Sequence, residues 1–452
     1  MVSERGNFGT KIGIILATAG SAVGLGNVWR LQFMTGQNGG AAFIILYFGC
    51  ILLLGIPGMV SEFIIGRHAQ SNAYRAYGQI SGKKPWRLVG ILGILTSTII
   101  LGFYAVVAGW CLQYLYASIA GQLNGDATYV SQYFQTFSSD PLKPCFWGVA
   151  FVLITHFVVV RGVQHGIERA SNILMPLLLL LLVIIVIAAC LLPGAAEGIR
   201  FLLLPDFSKV THSVMLDALG QAFFSLSLGT ACLCTYASYF SRETNLLRSA
   251  TLIALLDTMI AILAGLMIFP AAFSVGVNPD SGPSLIFITL PNVFQLAFAG
   301  LPVVGYVISI LFYALLVFAA LTSTISMHEI GTAFFHEELK LKRRHAAWIL
   351  TVVCSVLCVC CSLSIGAVSS LSLFGRQLMD FCDLLTAQVM LPLGALLTSV
   401  MMGWFVSRQT LRSELTNDGR VSRRFFNVWF FCVRFVVPLC ILLVFLHQFG
   451  VI

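Results

Sequence analysis

Several polar side chains stand inside strongly apolar stretches of this sequence, where they could bind an ion. Asp257 has no basic residue near it in the chain, and a carboxylate in such surroundings must meet a cation, take up a proton or shift its pKa. Asn27, Ser225, Thr322 and Ser323 offer hard oxygen atoms of the kind that Na⁺ needs. For Thr322 and Ser323 taken alone, a hydroxyl bond to the preceding helical turn is the favoured interpretation.

A glycine-rich run lies in the middle of the first apolar segment, at residues 19–27. Glycine weakens a helix by roughly 1 kcal/mol relative to alanine, so this cluster can let the helix open. Opened backbone in a bilayer is tolerated only where it lines a cavity or holds a ligand. A broken helix offers a positive half-helix end to a carboxylate and bare carbonyls to a cation. The alternative is a packing seam of small residues, Gly20-x-x-x-Gly24.

The sixth apolar segment has a similar interruption, the serine- and glycine-rich centre at residues 223–230. Paired interruptions at matching positions are the best sequence indication of a transporter's binding site. Coincidence is the alternative, because glycine is common in membrane helices. In the fifth segment, Pro176 removes a backbone hydrogen bond and, with Gly166, marks a weak point that could admit water. A plain proline kink is the more common explanation.

Two charged pairs could close the two sides of such a site. Asp380, near the outer end of the tenth segment, could pair with Arg30, in competition with a local i, i+4 pair to Arg376. On the inner side, Arg5 and Glu337 could form a matching pair, the alternative being solvated loop charges.

The composition predicts a membrane protein with many spans. Of the 452 residues, 58% are hydrophobic and 10% charged, whereas a soluble domain carries about 25% charged residues. The net charge of +8 comes from basic residues in alternate loops, a positive-inside pattern that places the N-terminus in the cytoplasm and requires no nucleic-acid partner. We expect no cleavable signal peptide before the first span. The thirteen cysteines show neither zinc spacing with histidine nor a disulfide framework.

Segments long enough to cross a hydrocarbon core of ~30 Å recur eleven times, which predicts an all-α polytopic fold in a single transmembrane domain. Because five is odd, a second set of five spans would begin on the opposite side of the membrane. A duplication would therefore be an inverted 5+5 repeat, with halves 1–191 and 212–405, followed by one additional helix at 425–449. The predicted spans are 12–36, 41–66, 88–120, 145–161, 167–191, 212–240, 247–275, 302–335, 345–363, 369–405 and 425–449.

Enzyme motifs are not evident. The pentapeptide at 328–332 (HEIGT) has Thr where a zinc-protease motif needs its second histidine. Neither a glycine-rich phosphate loop nor a nucleophile elbow stands out. We therefore expect a transporter and not an enzyme.

Taken in order, several motifs resemble those of the neurotransmitter:sodium symporter family, and in particular its bacterial amino-acid transporters with the LeuT fold. The motifs are 20–30 (GSAVGLGNVWR), 38–40 (NGG), 225–229 (SLSLG), 235–239 (TYASY), 286–291 (IFITLP) and 319–323 (AALTS). The resemblance covers essentially the whole chain, and its specificity lies in the ordered set. It implies discontinuous helices 1 and 6 and a multi-pass location in a bacterial inner (cytoplasmic) membrane.

The resemblance also implies two sodium sites and one substrate site. The first sodium site would be formed by Ala22, Asn27, Ser225, Asp257 and the substrate carboxylate. The second would be formed by the carbonyls of Gly20, Val23 and Ala319 and the hydroxyls of Thr322 and Ser323. The substrate site would comprise Tyr104 at the carboxylate, Phe224 as a lid, the N–H groups of Leu25 and Gly26, and pocket residues Ser21, Ala22, Ile100, Ser225, Ser227, Thr230, Ser323, Thr324 and Met327.

The gates are implied in the same way. The outer gate of the family matches Arg30 with Asp380, and the inner gate matches Arg5 with Glu337. The hinge of a Gly-x9-Pro motif, which the family uses for inner opening, matches Gly166 and Pro176.

Three departures from the family pattern affect these expectations. Asp257 stands where many relatives have Asn, and a fixed carboxylate can supply the charge that chloride supplies in chloride-dependent relatives. No chloride requirement is therefore expected. Phe8 replaces the usual inner-gate tryptophan, and the chain ends without the twelfth span that some members carry.

Gly24 indicates the substrate class. Amine transporters of this family place a carboxylate at this position, whereas a glycine suits a substrate that brings its own carboxylate. An amino acid fits this requirement, and because the pocket candidates are neutral and mostly apolar, we expect sodium-coupled import of a neutral, hydrophobic amino acid by alternating access. The alternatives are a proton-coupled transporter on the same scaffold, with Asp257 as the proton carrier, and a sodium-dependent amino-acid receptor that does not translocate.

Overall fold

The computed structural model describes residues 8–276, 285–368, 370–420 and 425–448, which are mostly helical. A short antiparallel hairpin, β1 (Ser372–Leu373) and β2 (Arg376–Gln377), occupies the first part of the tenth predicted span, 369–405, whose helix begins only at Leu378. The helices are α1 (Lys11–Ala22), α2 (Gly26–Gln37), α3 (Ala41–Ala69), α4 (Ala73–Ser81), α5 (Lys84–Ile119), α6 (Ala127–Ser139), α7 (Lys143–Val160), α8 (Val163–Cys190), α9 (Ala195–Leu203), α10 (His212–Ser225), α11 (Cys232–Ala237), α12 (Leu246–Ser274), α13 (Ile286–Ala297), α14 (Pro302–Glu338), α15 (Arg343–Ser364), α16 (Leu378–Phe405), α17 (Arg408–Thr416) and α18 (Phe426–Gln448).

Nine helices of the described ranges are long and apolar enough to cross a membrane singly: α3, α5, α7, α8, α12, α14, α15, α16 and α18. A tenth crossing consists of α1 and α2, which meet at a bend of 53°. The remaining predicted span, 212–240, is divided into α10 and α11, of 14 and 6 residues. The predicted all-α fold, with its first and sixth spans interrupted, is therefore confirmed.

The first interruption follows a well-capped helix. The Thr10 hydroxyl accepts the Gly13 N–H at 2.9 Å, which satisfies a donor at the start of α1. The helix ends at Ala22 because the next residue, Val23, is extended, with φ −72° and ψ 110°. Beyond it, a Cβ on Gly24 would lie 2.5 Å from Ser323 Oγ, so only glycine lets the opened chain approach α14 this closely.

The second interruption requires left-handed backbone. Between α10 and α11, Ser227, Gly229 and Ala231 have φ of 52°, 83° and 60°. A Cβ on Gly229 would overlap the Leu391 carbonyl oxygen of α16, so this residue combines a positive φ with a close backbone approach. The residue type explains the departure from helical geometry at Gly229, whereas Ser227 and Ala231 adopt a backbone conformation that is uncommon for residues with a side chain.

The two interrupted spans lie at the centre of the bundle. Helix α1 packs against α8, α12 and α14, and α11 packs against α3. The long helices α5 and α14 also pack against each other along their length. The opened backbone of α1–α2 and α10–α11 is therefore enclosed by protein and not by lipid, as its free polar groups require.

Candidate functional site

The opened backbone between α1 and α2 bonds to two neighbouring helices. The Leu25 N–H donates to the Tyr104 hydroxyl of α5 at 3.1 Å. The Val23 carbonyl accepts from the hydroxyls of Thr322 and Ser323 of α14, at 3.4 and 3.3 Å. The N–H and hydroxyl groups at the break are therefore suited to bind a carboxylate, and the carbonyl and hydroxyl oxygens are suited to bind a cation.

A buried carboxylate accepts hydrogen bonds from the backbone at the second interruption, between α10 and α11. Glu62 of α3 is 1% exposed, and it accepts the Gly229 N–H at 2.8 Å and the Cys234 N–H at 3.3 Å. A negative charge at the start of α11 complements the N–H groups of a helix end. The sequence analysis missed Glu62, although a single acid within a predicted apolar span was a usable signal.

Asp257 of α12 forms the centre of an oxygen-rich cluster. Its Oδ1 accepts from Asn27 Nδ2 at 2.7 Å, and its Oδ2 accepts from Ser225 Oγ at 3.0 Å and from the Tyr47 hydroxyl at 3.2 Å. The Asp257 side chain is fully buried, and no Lys or Arg of the described ranges lies within ion-pair distance of it. Three polar side chains stabilise this negative charge without neutralising it, so the cluster is suited to a small cation. Tyr47 was not predicted.

A second oxygen cluster surrounds Val23. Thr322 Oγ1 lies 3.0 Å from the Ala319 carbonyl and 3.4 Å from the Val23 carbonyl. The back-bonding alternative is thus observed for Thr322, and the same hydroxyl also faces the α1 break. Gly20 belongs to this contact, because a Cβ there would lie 3.2 Å from Thr322 Cβ. The cluster contains neutral oxygens only, which suits a monovalent ion better than a divalent one.

A cavity separates the two breaks and contacts the Asp257 cluster. Eleven of the predicted substrate residues line it, together with four residues that had not been predicted as substrate ligands: Gly24, Asn27, Cys232 and Leu391. The eleven are Ser21, Ala22, Gly26, Ile100, Tyr104, Phe224, Ser225, Ser227, Thr230, Ser323 and Met327. Its lining combines glycines and hydroxyl-bearing residues with aliphatic, aromatic and sulfur-containing side chains.

Two predicted substrate residues do not line the cavity. The Thr324 hydroxyl lies 2.9 Å from the Thr155 hydroxyl and donates to the Leu321 carbonyl at 3.1 Å, so it faces α7. Thr324 follows Ser323 directly, and one step along a helix rotates a side chain by about 100°. The Leu25 side chain is buried, and only its N–H faces Tyr104.

The predicted outer pair requires a correction. Arg30 pairs with Asp383, at 3.9 Å between Nη1 and Oδ1, and not with Asp380. Asp380 lies in the first turn of α16 and is exposed, whereas Asp383 lies one turn further along the helix. The Arg30 guanidinium also lies 4.3 Å from the ring centroid of Phe224, so it covers the cavity together with that aromatic side chain.

The partner of Arg30 can be tested directly. Asp383→Asn should reduce the transport rate about two- to fivefold, since a part-exposed ion pair contributes up to about 1 kcal/mol. Initial-rate uptake by purified protein in proteoliposomes measures this effect. Asp380→Asn is the matched control, and a larger loss in Asp380→Asn than in Asp383→Asn would contradict the assignment.

On the predicted inner side, Arg5 lies outside the described residues, so its pairing stays a prediction. Glu337 accepts from the Asn72 N–H and from Asn72 Nδ2, at 2.8 and 2.9 Å. Phe8 packs edge-on against Tyr236 and Tyr239, with ring centroids 5.9 and 6.1 Å away. Phe8 therefore occupies an aromatic pocket at this end of the site.

The start of α1 is attached to α8 by a carboxylate that the sequence analysis also missed. Glu168 accepts the N–H groups of Gly9 and Thr10 at 2.7 and 3.0 Å and the Thr10 hydroxyl at 2.7 Å. It ends a π-helical segment, Val163–Glu168, which also contains the predicted hinge residue Gly166. The other hinge residue, Pro176, lies within the following α-helix. The hinge segment thus directly contacts the N-terminal end of α1.

The polar side chains of the 328–332 segment form hydrogen bonds and an ion pair with one another and with α15. His328 Nε2 lies 2.9 Å from the Thr351 hydroxyl and Nδ1 lies 3.0 Å from the Thr332 hydroxyl. Glu329 pairs with Arg343. In the part of the chain that the structure describes, no group of three His, Cys, Asp or Glu side chains could hold a metal ion. These buried groups connect α14 and α15.

Comparison with known proteins agrees with this architecture. Residues 5–137 and 143–451 match the model of the sodium:neurotransmitter symporter family. The chain is 40% identical to a sodium-dependent transporter, YhdH, of Bacillus subtilis (strain 168), over 98% of this chain and 97% of that one. It is 34% identical to a sodium-dependent transporter of Haemophilus influenzae, over 98% of both chains. The crystal structure of MhsT in complex with L-phenylalanine superposes with a TM-score of 0.89, at 40% identity, and covers 98% of this chain and 99% of that one.

Proposed function

Because the chain belongs to the sodium:neurotransmitter symporter family, and is thus a sodium-dependent transporter with the LeuT fold and not an enzyme, we propose that it imports a neutral, hydrophobic amino acid together with Na⁺. The observation that carries the proposal is the adjacency of two groups in one cavity. Tyr104, which accepts the Leu25 N–H, lines this cavity together with Asn27 and Ser225, whose side chains bond to the fully buried Asp257 carboxylate.

The cavity wall supports the substrate class. Its lining includes Ile100, Phe224, Met327 and Leu391, which favour an apolar substrate group through burial of apolar surface. The L-phenylalanine in the MhsT structure supports an aromatic or large aliphatic substrate here. Gly24 lets Ser323 and Tyr104 approach the opened backbone closely, because a Cβ at this position would lie 2.5 Å from Ser323 Oγ and 3.2 Å from the Tyr104 hydroxyl.

Sodium would act as a co-substrate at two positions. We assign the first to Ala22, Asn27, Ser225 and Asp257, completed by the substrate carboxylate. We assign the second to Gly20, Val23, Ala319, Thr322 and Ser323. Coupling follows because the ion at the first position and the carboxylate stabilise each other, so each raises the affinity for the other by the same factor.

Asp257 also determines the anion requirement that we propose. Its fixed negative charge can balance the bound cation within the cluster, so transport needs no chloride. We further propose that residues 1–191 and 212–405 are the two halves of an inverted repeat. The positive-inside pattern of the basic loops supports a cytoplasmic N-terminus, and we propose that the membrane is a bacterial inner membrane.

The test is uptake of labelled L-phenylalanine and other neutral amino acids into proteoliposomes. Accumulation should require an inward sodium gradient and should persist when chloride is replaced by gluconate. Equal accumulation with and without the sodium gradient would refute sodium coupling. Binding of the amino acid without net uptake would instead indicate a receptor.

A second candidate function rests on Asp257 itself. Since no basic side chain of the described ranges pairs with it, this carboxylate could carry a proton in place of Na⁺. Uptake in sodium-free buffer that follows an imposed pH gradient would favour this proton-coupled mechanism over the first proposal.

The second sodium position yields a further prediction. Thr322→Val should raise the half-saturating sodium concentration about tenfold, because it removes one oxygen ligand worth about 1.5 kcal/mol while keeping the packing against Gly20. Sodium titration of uptake measures the shift. Thr96→Val is the matched control, since the Thr96 hydroxyl is fully buried and bonds only to the Leu92 carbonyl. An equal shift in both variants would contradict the assignment.

A further inference from the structure

Three arginines lie where α16 leaves and α18 enters the predicted membrane region. Arg408 and Arg412 belong to α17, and Arg434 lies inside α18. In the described ranges none of the three has a carboxylate within ion-pair distance, whereas Arg67 and Arg343 do. Three uncompensated cations at one place thus form a site of strong positive charge, which we call the arginine cluster.

Aromatic rings hold the arginine cluster together. The Arg434 guanidinium carbon lies 4.0 Å from the ring centroid of Trp404. Arg408 and Arg434 lie 5.1 and 5.8 Å from the centroid of the same ring, Phe430. These cation–π contacts position the guanidinium groups but leave their charge uncompensated. Arg434 Nε is buried and has no hydrogen-bond partner among the described residues.

The position of Arg434 in the membrane is unfavourable without a counter-charge. It lies about 12 Å along the α18 axis from Phe426, within a span whose surface is largely apolar. Arginine at such a depth is costly unless its long side chain reaches the headgroup region. Its backbone lies beside the last turn of α16, where the Trp404 Nε1–H donates to the Arg434 carbonyl at 3.3 Å, so the guanidinium over Trp404 lies near the membrane surface at which α16 ends.

The surroundings indicate lipid as the occupant. Trp404 is 53% exposed and Phe431 58% exposed, as expected of side chains at a membrane interface. Beside them, a cleft between α17 and α18 is lined by Arg408, Arg412 and three uncharged residues. The acidic residue of α17, Glu414, is already paired with Arg67 and His68 on another side of the helix.

We propose that the arginine cluster, with Trp404, binds the phosphate headgroup of an anionic phospholipid in the adjacent leaflet. Charge complementarity selects an anionic headgroup, because a zwitterionic lipid would leave the cluster uncompensated. Each basic residue near an anionic surface contributes an attraction that corresponds to about fivefold in binding. The proposal does not depend on the transported substrate, and it concerns a surface remote from the central cavity.

The experiment uses Trp404 as the reporter. The full-length protein is reconstituted into phosphatidylcholine vesicles in which a fixed minor fraction of the lipid is brominated, either as phosphatidylglycerol or as phosphatidylcholine. Quenching of Trp404 is obtained by subtracting the fluorescence of Trp404→Phe. Because both leaflets have the same composition, the test is independent of the orientation of the protein.

Brominated phosphatidylglycerol should quench Trp404 more effectively than brominated phosphatidylcholine, and this preference should fall about fivefold for each arginine removed. The double variant Arg408→Gln/Arg434→Gln should lose most of it, whereas Arg408→Lys/Arg434→Lys should retain most of it. Arg344→Gln, at an exposed position on α15, is the control for loss of one basic charge and should behave as the unmodified protein.

Equal quenching by the two lipids in the unmodified protein would overturn the proposal, and this comparison needs no variant to fold. An unchanged preference in the Arg408→Gln/Arg434→Gln protein would also overturn it. Loss of the preference on adding inorganic phosphate at constant ionic strength would assign the cluster to a soluble anion instead. Absence of quenching by either lipid would mean that another surface, such as a second copy, covers Trp404.

Discussion

Asp257→Asn is expected to reduce sodium-driven uptake in chloride-free buffer by about ten- to a hundredfold. The substitution keeps the size of the side chain but removes the negative charge of the cluster with Asn27, Ser225 and Tyr47. Interactions with a charged group contribute about 1.5–3 kcal/mol, which sets the expected range. Uptake should partly recover when chloride is added, because a bound anion could then supply the missing charge.

The comparison is made by sodium titration of uptake in gluconate and in chloride buffers. Thr258→Val is the matched control, since Thr258 is the next residue in α12, is buried, and bonds only to the Ala254 carbonyl. Unchanged sodium affinity and rate in Asp257→Asn would remove this residue from the first sodium site. Loss of only the pH-driven component of uptake would instead support the proton-coupled alternative.

Gly24→Ala is expected to weaken amino-acid binding by about ten- to a hundredfold. The new Cβ would lie 2.5 Å from Ser323 Oγ and 3.2 Å from the Tyr104 hydroxyl. Both side chains must move, and they are the ones that we assign to the substrate carboxylate and the second sodium position. Overpacking of this kind costs about 1–3 kcal/mol. Equilibrium binding of labelled L-phenylalanine at saturating sodium measures the loss.

Gly49→Ala is the control for the same substitution in a span, because a Cβ on Gly49 meets nothing within 4 Å. A second ligand tests the chemical reason. Phenylethylamine, which lacks the carboxylate, should not displace L-phenylalanine from the unmodified protein. Strong displacement by the amine, or normal binding in Gly24→Ala, would show that the close contact of Gly24 with Ser323 and Tyr104 does not position the substrate carboxylate.

The outer pair shows a limit of reasoning from sequence spacing. Arg30 was identified, but its partner was placed one turn too early, at Asp380 in place of Asp383. Both acids lie on the same helix three residues apart, so local sequence does not show which of them pairs with Arg30. The tilt and depth of α16 decide between them, and these depend on contacts with distant parts of the chain.

The missed acids show a different limit. Glu62 and Glu168 are ionisable residues in or beside predicted spans, and this unusual placement could have identified both as functional or structural candidates. Their partners could not be predicted in the same way. Glu62 binds the backbone around the α10–α11 break and Glu168 binds the start of α1, and backbone N–H groups carry no residue-specific signal.

The sequence by itself determined the all-α membrane architecture, the interruptions within 19–27 and 223–230, and the family. These follow from local causes: apolar length, glycine propensity and polar residues that are costly in lipid. Only the tertiary structure decided that Tyr47 donates a hydrogen bond to Asp257. It also decided that Thr324 faces away from the cavity and that Leu391 lines it. Such contacts depend on how helices rotate and tilt against each other, which is set by packing over the whole bundle and not by any single stretch of chain.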